Sequence, residues 1–457
     1  MANLLIENGA VLTMDEEHRI HDPGWVWVEG DRIAQVGEGL APALVRSRAE
    51  RIIDAAQMAV LPGLINGHTH LSQTFMRGLA DDKPLIAWLK NVMWPVQAAM
   101  TPEDVQLASL LGLVENLHCG VTGVVQHHKI TSSPAHVDAA AEAAQQVGLR
   151  LLLARGWVDL GSGAESPESI LEEVAGLRQR WHGGAEGRIG VAFGPMAPWR
   201  CSDDTMRRTV EQARQWGVPT HLHVAEAQDE LDMLRQRTGL RHVEWLHSLG
   251  VLGPDVHLVH SVWVNEAELD LVADSGAIVV HCPVSNMYLA SGVAPVRQML
   301  DRGIPVALGS DGPASHNSQD MLETLKVAAL LAKVSLGQPT ALRSMEALHM
   351  ATVAGARLFG TGDQGQAPSG RLVAGTKADI ALIDLNNARS MPVHRPESAV
   401  VYNANGPDVH TVLVDGRILL DAGRVTMLDE AGLLERCRRA ARELLRRAQV
   451  QLVPAGG

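Results

Sequence analysis

The segment Leu61-Pro-Gly-Leu-Ile-Asn-Gly-His68-Thr-His70 is the starting point for predicting the fold, because an apolar run leads directly into two closely spaced histidines. The apolar run is typical of a buried strand in a parallel sheet. Side chains at positions i and i+2 of a strand lie on the same face, so His68 and His70 should point the same way. Two such imidazoles can bind one divalent metal ion, and further ligands are therefore expected downstream.

Beyond this segment, apolar β-like runs alternate with helical patterns, as in repeated βα units. Strands are predicted at 60–67, 121–126, 149–155, 187–194, 218–224, 256–260, 277–281 and 305–310. Helices are predicted at 103–118, 134–147, 165–181, 203–216, 228–249, 265–275, 293–302 and 319–335. Eight strands with intervening helices over about 300 residues predict an α/β fold, a (β/α)8 TIM-like barrel.

Both ends of the chain are β-rich instead. Short strands are predicted near the N-terminus at 3–8, 25–37 and 51–54, and strand–turn–strand patterns return at 377–385 and 408–421. The two ends together therefore predict a small composite β-sandwich beside the barrel. The expected division is a β-sandwich of residues 1–60 and 365–427, a metal-dependent barrel of residues 61–364, and a C-terminal helix and tail of residues 428–457.

Composition and charge restrict the class of partner. The 457 residues are 46% hydrophobic and 20% charged, which is ordinary for a globular protein. A net charge of −13 without a basic cluster argues against nucleic acid. No apolar run reaches membrane-spanning length and no signal-peptide pattern follows Met1, so we expect a cytoplasmic protein without a membrane partner. The four cysteines form no C-x-x-C pair, which argues against a zinc knuckle or a disulfide scaffold.

Further metal-binding and acid–base side chains lie at the ends of other predicted strands. These residues are His223, Glu226, His260 and Asp311. The C-terminal ends of barrel strands converge on one face, where active sites lie. We therefore expect all four to meet His68 and His70 at that face.

The residue types at this face suit a hydrolytic metal site. Three imidazoles and one carboxylate suit a single divalent ion, most readily Zn²⁺, although they would also hold Fe²⁺ or Mn²⁺. The ion would lower the pKa of a water molecule and so generate a hydroxide nucleophile. Asp311 could bind the metal and take a proton from that water, while Glu226 and His260 are candidates for proton delivery and substrate polarisation.

In these motifs the chain resembles the amidohydrolase superfamily, and the resemblance covers essentially its whole length. The motifs are Pro62-Gly63-Leu64-Ile65-Asn66-Gly67-His68-Thr69-His70, His223-Val-Ala-Glu226, His260, His281-Cys-Pro-Val-Ser-Asn286 and Gly309-Ser-Asp311-Gly-Pro-Ala-Ser-His-Asn317. The resemblance implies one metal ion held by His68, His70, His223 and Asp311. Binuclear relatives usually carry a carboxylated lysine near the end of the fourth strand, and residues 191–198 contain no lysine.

Within the superfamily the chain is most similar to aminohydrolases of nitrogen heterocycles. That group includes methylthioadenosine/S-adenosylhomocysteine deaminases, oxopurine and pterin deaminases, and the melamine deaminase/atrazine chlorohydrolase set. The resemblance implies hydrolytic deamination of an amino-substituted N-heteroaromatic ring, such as an aminotriazine, purine, pterin or adenosine derivative, which is C–N hydrolysis in a cyclic amidine. It implies that Glu226 protonates a ring nitrogen, His260 stabilises charge on the attacking oxygen, and Asp311 returns a proton to the leaving ammonia. The implied partners are the small heterocycle and water, and relatives often form homo-oligomers.

Positions expected to contact the substrate give conflicting indications. Gln97 stands where adenosine-type deaminases have a glutamate for the ribose hydroxyls, and Met196 stands where they have a histidine. No arginine for a homocysteine carboxylate occurs in the loop after Asp159. These departures disfavour S-adenosylhomocysteine and, to a smaller degree, nucleosides, because a neutral amide holds a diol less strongly than a carboxylate does. Gln97 resembles the triazine group, whereas the segment 126–128 is similar to oxopurine and pterin deaminases.

The expected substrate contacts are Gln97, Arg155, Met196, Trp94 and His281. Substrate contact and a solvated loop are equally open for His127 and His128, and His221 is expected to be structural. Two other functions remain open. One is a dechlorinating triazine hydrolase or cyclic amidase on the same scaffold, and the other is a non-catalytic binding protein that keeps the fold.

Overall fold

The computed structural model of the protein describes residues 3–79, 81–83, 85–360 and 367–450. The chain forms one sheet of eight strands that curves into a barrel and a second sheet from strands near both chain ends. The predicted (β/α)8 architecture is therefore confirmed. The expected boundary at residues 364 and 365 and the tail residues 451–457 lie outside the described residues.

The regular elements begin and end close to the predicted positions. The strands are β1 (Leu4–Leu12), β2 (Ile20–Glu29), β3 (Arg32–Glu38), β4 (Arg51–Asp54), β5 (Met58–Pro62), β6 (Leu64–Thr69), β7 (Val121–His128), β8 (Arg150–Trp157), β9 (Ile189–Pro195), β10 (Thr220–Val224), β11 (Val256–His260), β12 (Ile278–His281), β13 (Val306–Leu308), β14 (Ile380–Asp384), β15 (Val409–Val414), β16 (Arg417–Asp421) and β17 (Arg424–Val425). The helices are α1 (Ala43–Arg48), α2 (Leu85–Trp88), α3 (Trp94–Ala98), α4 (Pro102–His118), α5 (Pro134–Val147), α6 (Pro167–Trp181), α7 (Gly184–Gly187), α8 (Asp203–Trp216), α9 (Gln228–Thr238), α10 (His242–Ser248), α11 (Glu266–Ser275), α12 (Pro283–Tyr288), α13 (Val296–Asp301), α14 (Met321–Leu336), α15 (Ser344–His349), α16 (Gly355–Arg357), α17 (Pro396–Tyr402) and α18 (Glu430–Arg447). Short 3-10 or π-helical segments lie at Leu71–Met76, Leu89–Met93, Pro198–Arg200, Met350–Ala354 and Gly406–Asp408.

The barrel consists of β6 to β13, paired in chain order. Every ladder between these strands is parallel, and nearly every residue of the strands is buried, as expected when helices cover the sheet. The last strand returns to the first, because the Asp311 N–H donates to the His68 carbonyl oxygen at 2.9 Å. This closure brings the C-terminal ends of the strands around one opening.

The second sheet has the strand order β17-β16-β15-β14-β5-β1-β2-β3, with β4 paired to β1. Apolar side chains from both chain ends, among them Ile6, Val28, Ile380 and Leu413, form a core separate from that of the barrel. The composite β unit expected from the two ends is therefore one continuous sheet with its own core.

The predicted strand at 60–67 is in fact two strands that belong to different sheets. β5 lies between β1 and β14, whereas β6 begins the barrel. The chain crosses at Gly63, whose N–H donates to the Asp379 carbonyl at 3.0 Å. A side chain cannot be accommodated there, since a Cβ on Gly63 would lie 2.1 Å from the Thr122 side chain.

The single helix predicted at 228–249 is also two helices. Gly239 ends α9 with a φ of +77°, a left-handed conformation that glycine adopts at helix ends without steric cost. The chain then restarts as α10 at His242. Within the described part of the chain, every helix is too short or too polar to cross a bilayer.

Candidate active site

Four buried side chains with metal-binding groups meet at the C-terminal end of the barrel. They are His68, His70, His223 and Asp311. His68 lies within β6 and His70 directly follows it, while His223 lies in β10 and Asp311 follows β13. Asp311 Oδ1 is 3.3 Å from His68 Nε2 and 3.4 Å from His70 Nε2. The structure thus brings together the four ligands expected from the sequence.

Hydrogen bonds define which ring nitrogens face the centre of the cluster. His70 Nδ1 donates to the His127 carbonyl at 2.6 Å, and His223 Nδ1 donates to the Met196 carbonyl at 2.7 Å. The Nε2 atoms of both rings therefore carry lone pairs, and they lie 3.4 Å apart. Two lone pairs repel at this distance unless a cation lies between them.

His68 completes the same pattern. Its Nδ1 contacts His221 Nε2 at 2.8 Å, and its Nε2 is buried without a hydrogen-bond partner among the described residues. Three imidazole nitrogens and the Asp311 carboxylate thus meet at one point, and the outer nitrogens are held by neighbouring groups. The donor set fits one divalent metal ion.

Asp311 is held as an anion by several short contacts. Its Oδ2 accepts hydrogen bonds from Ser285 Oγ at 2.6 Å and Ser315 Oγ at 3.0 Å, and Oδ1 accepts from the Gly312 N–H at 2.6 Å. Burial alone would raise the pKa of Asp311, but its contact with His68 keeps that pKa well below the usual value. The backbone φ of Asp311 is +62°, a strained value for this residue type that is common at functional sites.

Glu226 and His260 lie beside the metal cluster. Burial and, after it, the negative charge of Asp311 raise the pKa of Glu226 to about 8. Its Oε2 lies 3.4 Å from His260 Nε2. His260 Nδ1 donates to Asn286 Oδ1 at 2.9 Å, which leaves a lone pair on Nε2. At neutral pH this arrangement places a proton donor and a proton acceptor side by side.

A cavity of about 480 Å³ extends from these groups to the surface. Its volume is in the range of small-ligand sites. Three of the expected substrate contacts line it, namely Trp94, Gln97 and Met196. Trp94 and Gln97 both lie on α3, and Trp88, Trp157 and Trp199 also line the cavity.

The other two expected contacts, Arg155 and His281, do not line this cavity. Gly156 does line it, so Arg155, one residue earlier on β8, projects from the opposite side of the strand. There its guanidinium pairs with Glu165 at 2.6 Å and with Glu173. His281 is buried in β12, where its carbonyl accepts a hydrogen bond from Gly309.

Neither His127 nor His128 lines the cavity. His127 Nε2 donates to the Gly194 carbonyl at 2.9 Å, and His128 Nε2 donates to the Ile130 carbonyl at 2.7 Å. A backbone carbonyl therefore engages Nε2 of each ring, and the His127 carbonyl also orients His70.

Four charged residues on the cavity wall were not singled out from the sequence, namely Lys129, Glu165, Arg200 and Glu230. Lys129 directly follows β7, and Glu230 lies on α9 four residues after Glu226. Glu230 accepts hydrogen bonds from Trp199 Nε1 at 2.9 Å and from the Glu226 N–H at 3.2 Å, and burial raises its pKa to about 7. The position of Lys129 at a strand end was the signal that could have revealed it.

Comparison with known proteins gives close matches along the whole chain. The chain is 40% identical to a 5'-deoxyadenosine deaminase of Methanosarcina mazei over 98% of its own length and 99% of the relative's. It is 37% identical to a 5-methylthioadenosine/S-adenosylhomocysteine deaminase of Pelotomaculum thermopropionicum, over 98% of this chain and 100% of that protein.

Solved structures with a similar fold match the chain along nearly its whole length. An adenosine deaminase from Xanthomonas campestris with bound zinc superposes with a TM-score of 0.90 and 32% identity, covering 97% of this chain and 99% of that one. An atrazine chlorohydrolase from Arthrobacter aurescens complexed with zinc gives a TM-score of 0.88 and 26% identity, covering 96% and 100% of the two chains.

Residues 59–419 match the family described as the amidohydrolase family. This match spans most of the chain, and it agrees with the barrel and with the buried cluster of metal-binding side chains. The protein therefore belongs to the amidohydrolase family and is a metal-dependent hydrolytic deaminase of an N-heteroaromatic ring.

Proposed function

We propose that the protein releases ammonia from the adenine ring of an adenosine derivative altered at its 5' position, such as 5'-deoxyadenosine. The observation that best supports this reaction is the position of Glu226 on the cavity wall beside the metal-binding cluster. Its carboxyl group is buried and has a pKa of about 8. A carboxylic acid that keeps its proton at neutral pH can protonate a ring nitrogen. Similarity to deaminases of adenosine derivatives along 98% of the chain supports adenine as the ring.

The ion is proposed to be Zn²⁺, held by His68, His70, His223 and Asp311. Neutral imidazoles with one carboxylate suit this metal, and two solved relatives contain zinc. When bound, the ion would lower the pKa of a water molecule so that it can attack at neutral pH.

The protein's own groups carry the protons of the reaction. Asp311 accepts a proton from the attacking water, since its Oδ1 lies beside the metal-binding nitrogens of His68 and His70. Glu226 gives its proton to the ring nitrogen next to the carbon that bears the amine. The bond between water oxygen and ring carbon forms as the ring loses its aromaticity, and His260 Nε2 accepts a hydrogen bond from the incoming hydroxyl group.

The second half of the reaction breaks the carbon–nitrogen bond. Asp311 returns its proton to the amine, which leaves as ammonia. The proton of the new hydroxyl group passes through His260 Nε2 to Glu226 Oε2, 3.4 Å away, and restores the acid. The ring keeps the proton on its nitrogen, so the product is the oxo heterocycle and no net proton is consumed.

Trp94, Gln97 and Met196 are proposed to contact the substrate. An indole can stack on a flat ring, and the Gln97 amide can hydrogen-bond an oxygen of the sugar or its substituent. Gln97 in place of a glutamate weakens the case for a nucleoside. Similarity to the adenosine-type deaminases nevertheless reaches 40% identity, against 26% to the triazine hydrolase, which supports the adenosine class.

The proposal is tested by incubating the zinc-loaded protein with 5'-deoxyadenosine, 5'-methylthioadenosine, adenosine, melamine and atrazine. The ammonia and the chloride released from each compound are measured. We expect ammonia from the adenosine derivatives, with the largest kcat/KM for a 5'-altered one. Ammonia from melamine alone, or chloride from atrazine without ammonia from any nucleoside, would contradict the proposal and support a triazine hydrolase.

A further inference from the structure

Lys129 lies on the wall of the substrate cavity, and no described residue forms an ion pair with it. It directly follows β7, and the residue before it, His128, pairs with Arg155 of β8, so Lys129 lies beside Gly156 and Trp157. Its side chain makes no hydrogen bond and no ion pair with any part of the chain that the structure describes. Burial lowers the pKa of its ammonium group, and the negative charge of Asp311 opposes this shift.

A further group on the same wall can only donate hydrogen bonds and has no acceptor. Gln97 is 9% exposed, and its Nε2 has no acceptor among the described residues. A buried donor without an acceptor costs about 1–3 kcal/mol, so this amide favours a ligand that supplies an acceptor.

The acidic groups of the cavity do not satisfy these donors. Glu165 pairs with Arg155, and Glu230 accepts hydrogen bonds from Trp199 and from the backbone of Glu226. Glu226 holds a proton at neutral pH, since its pKa is about 8. Asp311, whose charge acts on Lys129, is held by Ser285, Ser315 and the Gly312 N–H, so none of these acids forms an ion pair with Lys129 in the described part of the structure.

The other cation on the wall, Arg200, is already engaged. Its Nε donates to the Leu160 carbonyl at 3.0 Å, and its Nη2 donates to the Ser162 carbonyl. Its guanidinium also lies over the Trp94 and Trp199 rings, 5.7 Å and 5.3 Å from their centroids. Arg200 thus holds the loop at residues 160–162 in place. Lys129 therefore remains available to bind a ligand.

We propose that Lys129, with the Gln97 amide beside the same cavity, is a specificity-determining residue that binds an anionic group on the substrate. The preferred substrate is then an adenosine derivative whose substituent carries a carboxylate or a phosphate, rather than a neutral one. This inference rests on the proposed function, because it concerns the substituent of the ring that is deaminated.

The test compares three substrates that differ in charge: neutral 5'-methylthioadenosine, S-adenosylhomocysteine with its carboxylate, and adenosine 5'-monophosphate with its phosphate. The ratio of kcat/KM between each anionic substrate and the neutral one is measured for the wild type, Lys129→Met and Lys129→Gln. Lys129→Arg keeps the charge, and Lys326→Met removes an exposed lysine of α14 as a matched control. Binding of the three inosine-type products to the same zinc-loaded proteins is measured by calorimetry, which does not depend on turnover.

We expect the ratio for one anionic substrate to fall about 10- to 100-fold in Lys129→Met and Lys129→Gln, because a hydrogen-bonded ion pair is lost. Lys129→Arg should recover much of the ratio, and Lys326→Met should not change it. The substrate whose ratio falls identifies the anion as carboxylate or phosphate.

Ratios and product affinities that stay within about twofold of the wild type in both neutral variants overturn the inference and leave the proposed function intact. If no substrate is deaminated but the neutral variants still weaken binding of an anionic product, the proposed function fails and the anion site stands. Lys129→Gln keeps a polar side chain of similar length, so the comparison survives if Lys129→Met does not fold.

Discussion

The Nε2 atoms of His70 and His223 face each other at 3.4 Å, and each ring donates its Nδ1 proton to a main-chain carbonyl. The barrel backbone therefore selects the tautomer in which both facing nitrogens carry lone pairs. Such a pair is unfavourable in the metal-free protein and favourable around a cation. The backbone of the strands imposes this contact on the folded protein, and a bound cation would remove the repulsion between the two lone pairs.

Metal removal should therefore affect both activity and stability. Chelation is expected to abolish deamination and to lower the melting temperature, and one equivalent of Zn²⁺ should restore both. A ligand at 100 times its Kd stabilises the folded state by about 2.7 kcal/mol. Differential scanning calorimetry with metal analysis measures the effect.

A pair of histidine variants separates the metal site from other histidines. His223→Asn should lose the ion, whereas His118→Asn should keep one ion per chain, because His118 lies outside the cluster and contacts Glu430. A full equivalent of metal in His223→Asn would contradict the assignment of this ligand.

The rate of deamination should decline at alkaline pH. Glu226 must carry a proton to act as an acid, and its pKa is raised to about 8 by burial. The acid form is present below this pKa and is lost as the pH rises through it, so kcat should fall about tenfold per pH unit above about pH 8. The check is a kcat profile from pH 6 to pH 10, with metal content measured at each pH. A rate that continues to rise to pH 9.5 at full metal occupancy would be inconsistent with Glu226 as the acid.

The junction between the barrel and the second sheet should depend on a buried ion pair. Arg150 of β8 donates to Asp379 with its Nε at 2.5 Å and its Nη2 at 3.0 Å, and it also pairs with Asp415. Asp379→Ala removes the Asp379 carboxylate from the buried guanidinium. We expect a loss of about 3–5 kcal/mol in the free energy of unfolding, measured by urea titration.

The exposed pair Arg51–Asp421 is the matched control for this prediction. It also joins two segments that are distant in sequence, but both partners are well exposed, at 45% and 37% of the side chain. Asp421→Ala should therefore cost at most about 1 kcal/mol. Equal losses in the two variants would show that burial of the Arg150 network does not determine its contribution.

The ligand cluster could be expected from the sequence because its members follow strands, and strand ends of a barrel converge. His68 and Asp311 are 243 positions apart, yet barrel closure places them in contact, with 3.3 Å between Nε2 and Oδ1. The same reasoning applied to the end of β7 would have found Lys129.

The side on which a side chain projects from a barrel strand could not be predicted. Every residue of β8 is buried, so its sequence does not alternate between apolar and polar positions and does not show which residues face the cavity. Arg155 was therefore expected at the substrate, whereas it pairs with Glu165 and Glu173 on the other side of the strand. The division of the first strand at Gly63 was hidden for a similar reason, because β5 and β6 are both apolar and both buried.

The most direct test of the account is single-turnover deamination of 5'-deoxyadenosine by the zinc-loaded wild type and the Glu226→Gln variant. Both proteins should contain one zinc ion and bind the product inosine derivative with similar affinity, because glutamine keeps the shape of the side chain. The wild type should release one ammonia per site, and the variant should do so about 100- to 10,000-fold more slowly, since the positioned acid is lost. The account is contradicted if Glu226→Gln turns over within about threefold of the wild type, or if the fully loaded wild type releases no ammonia.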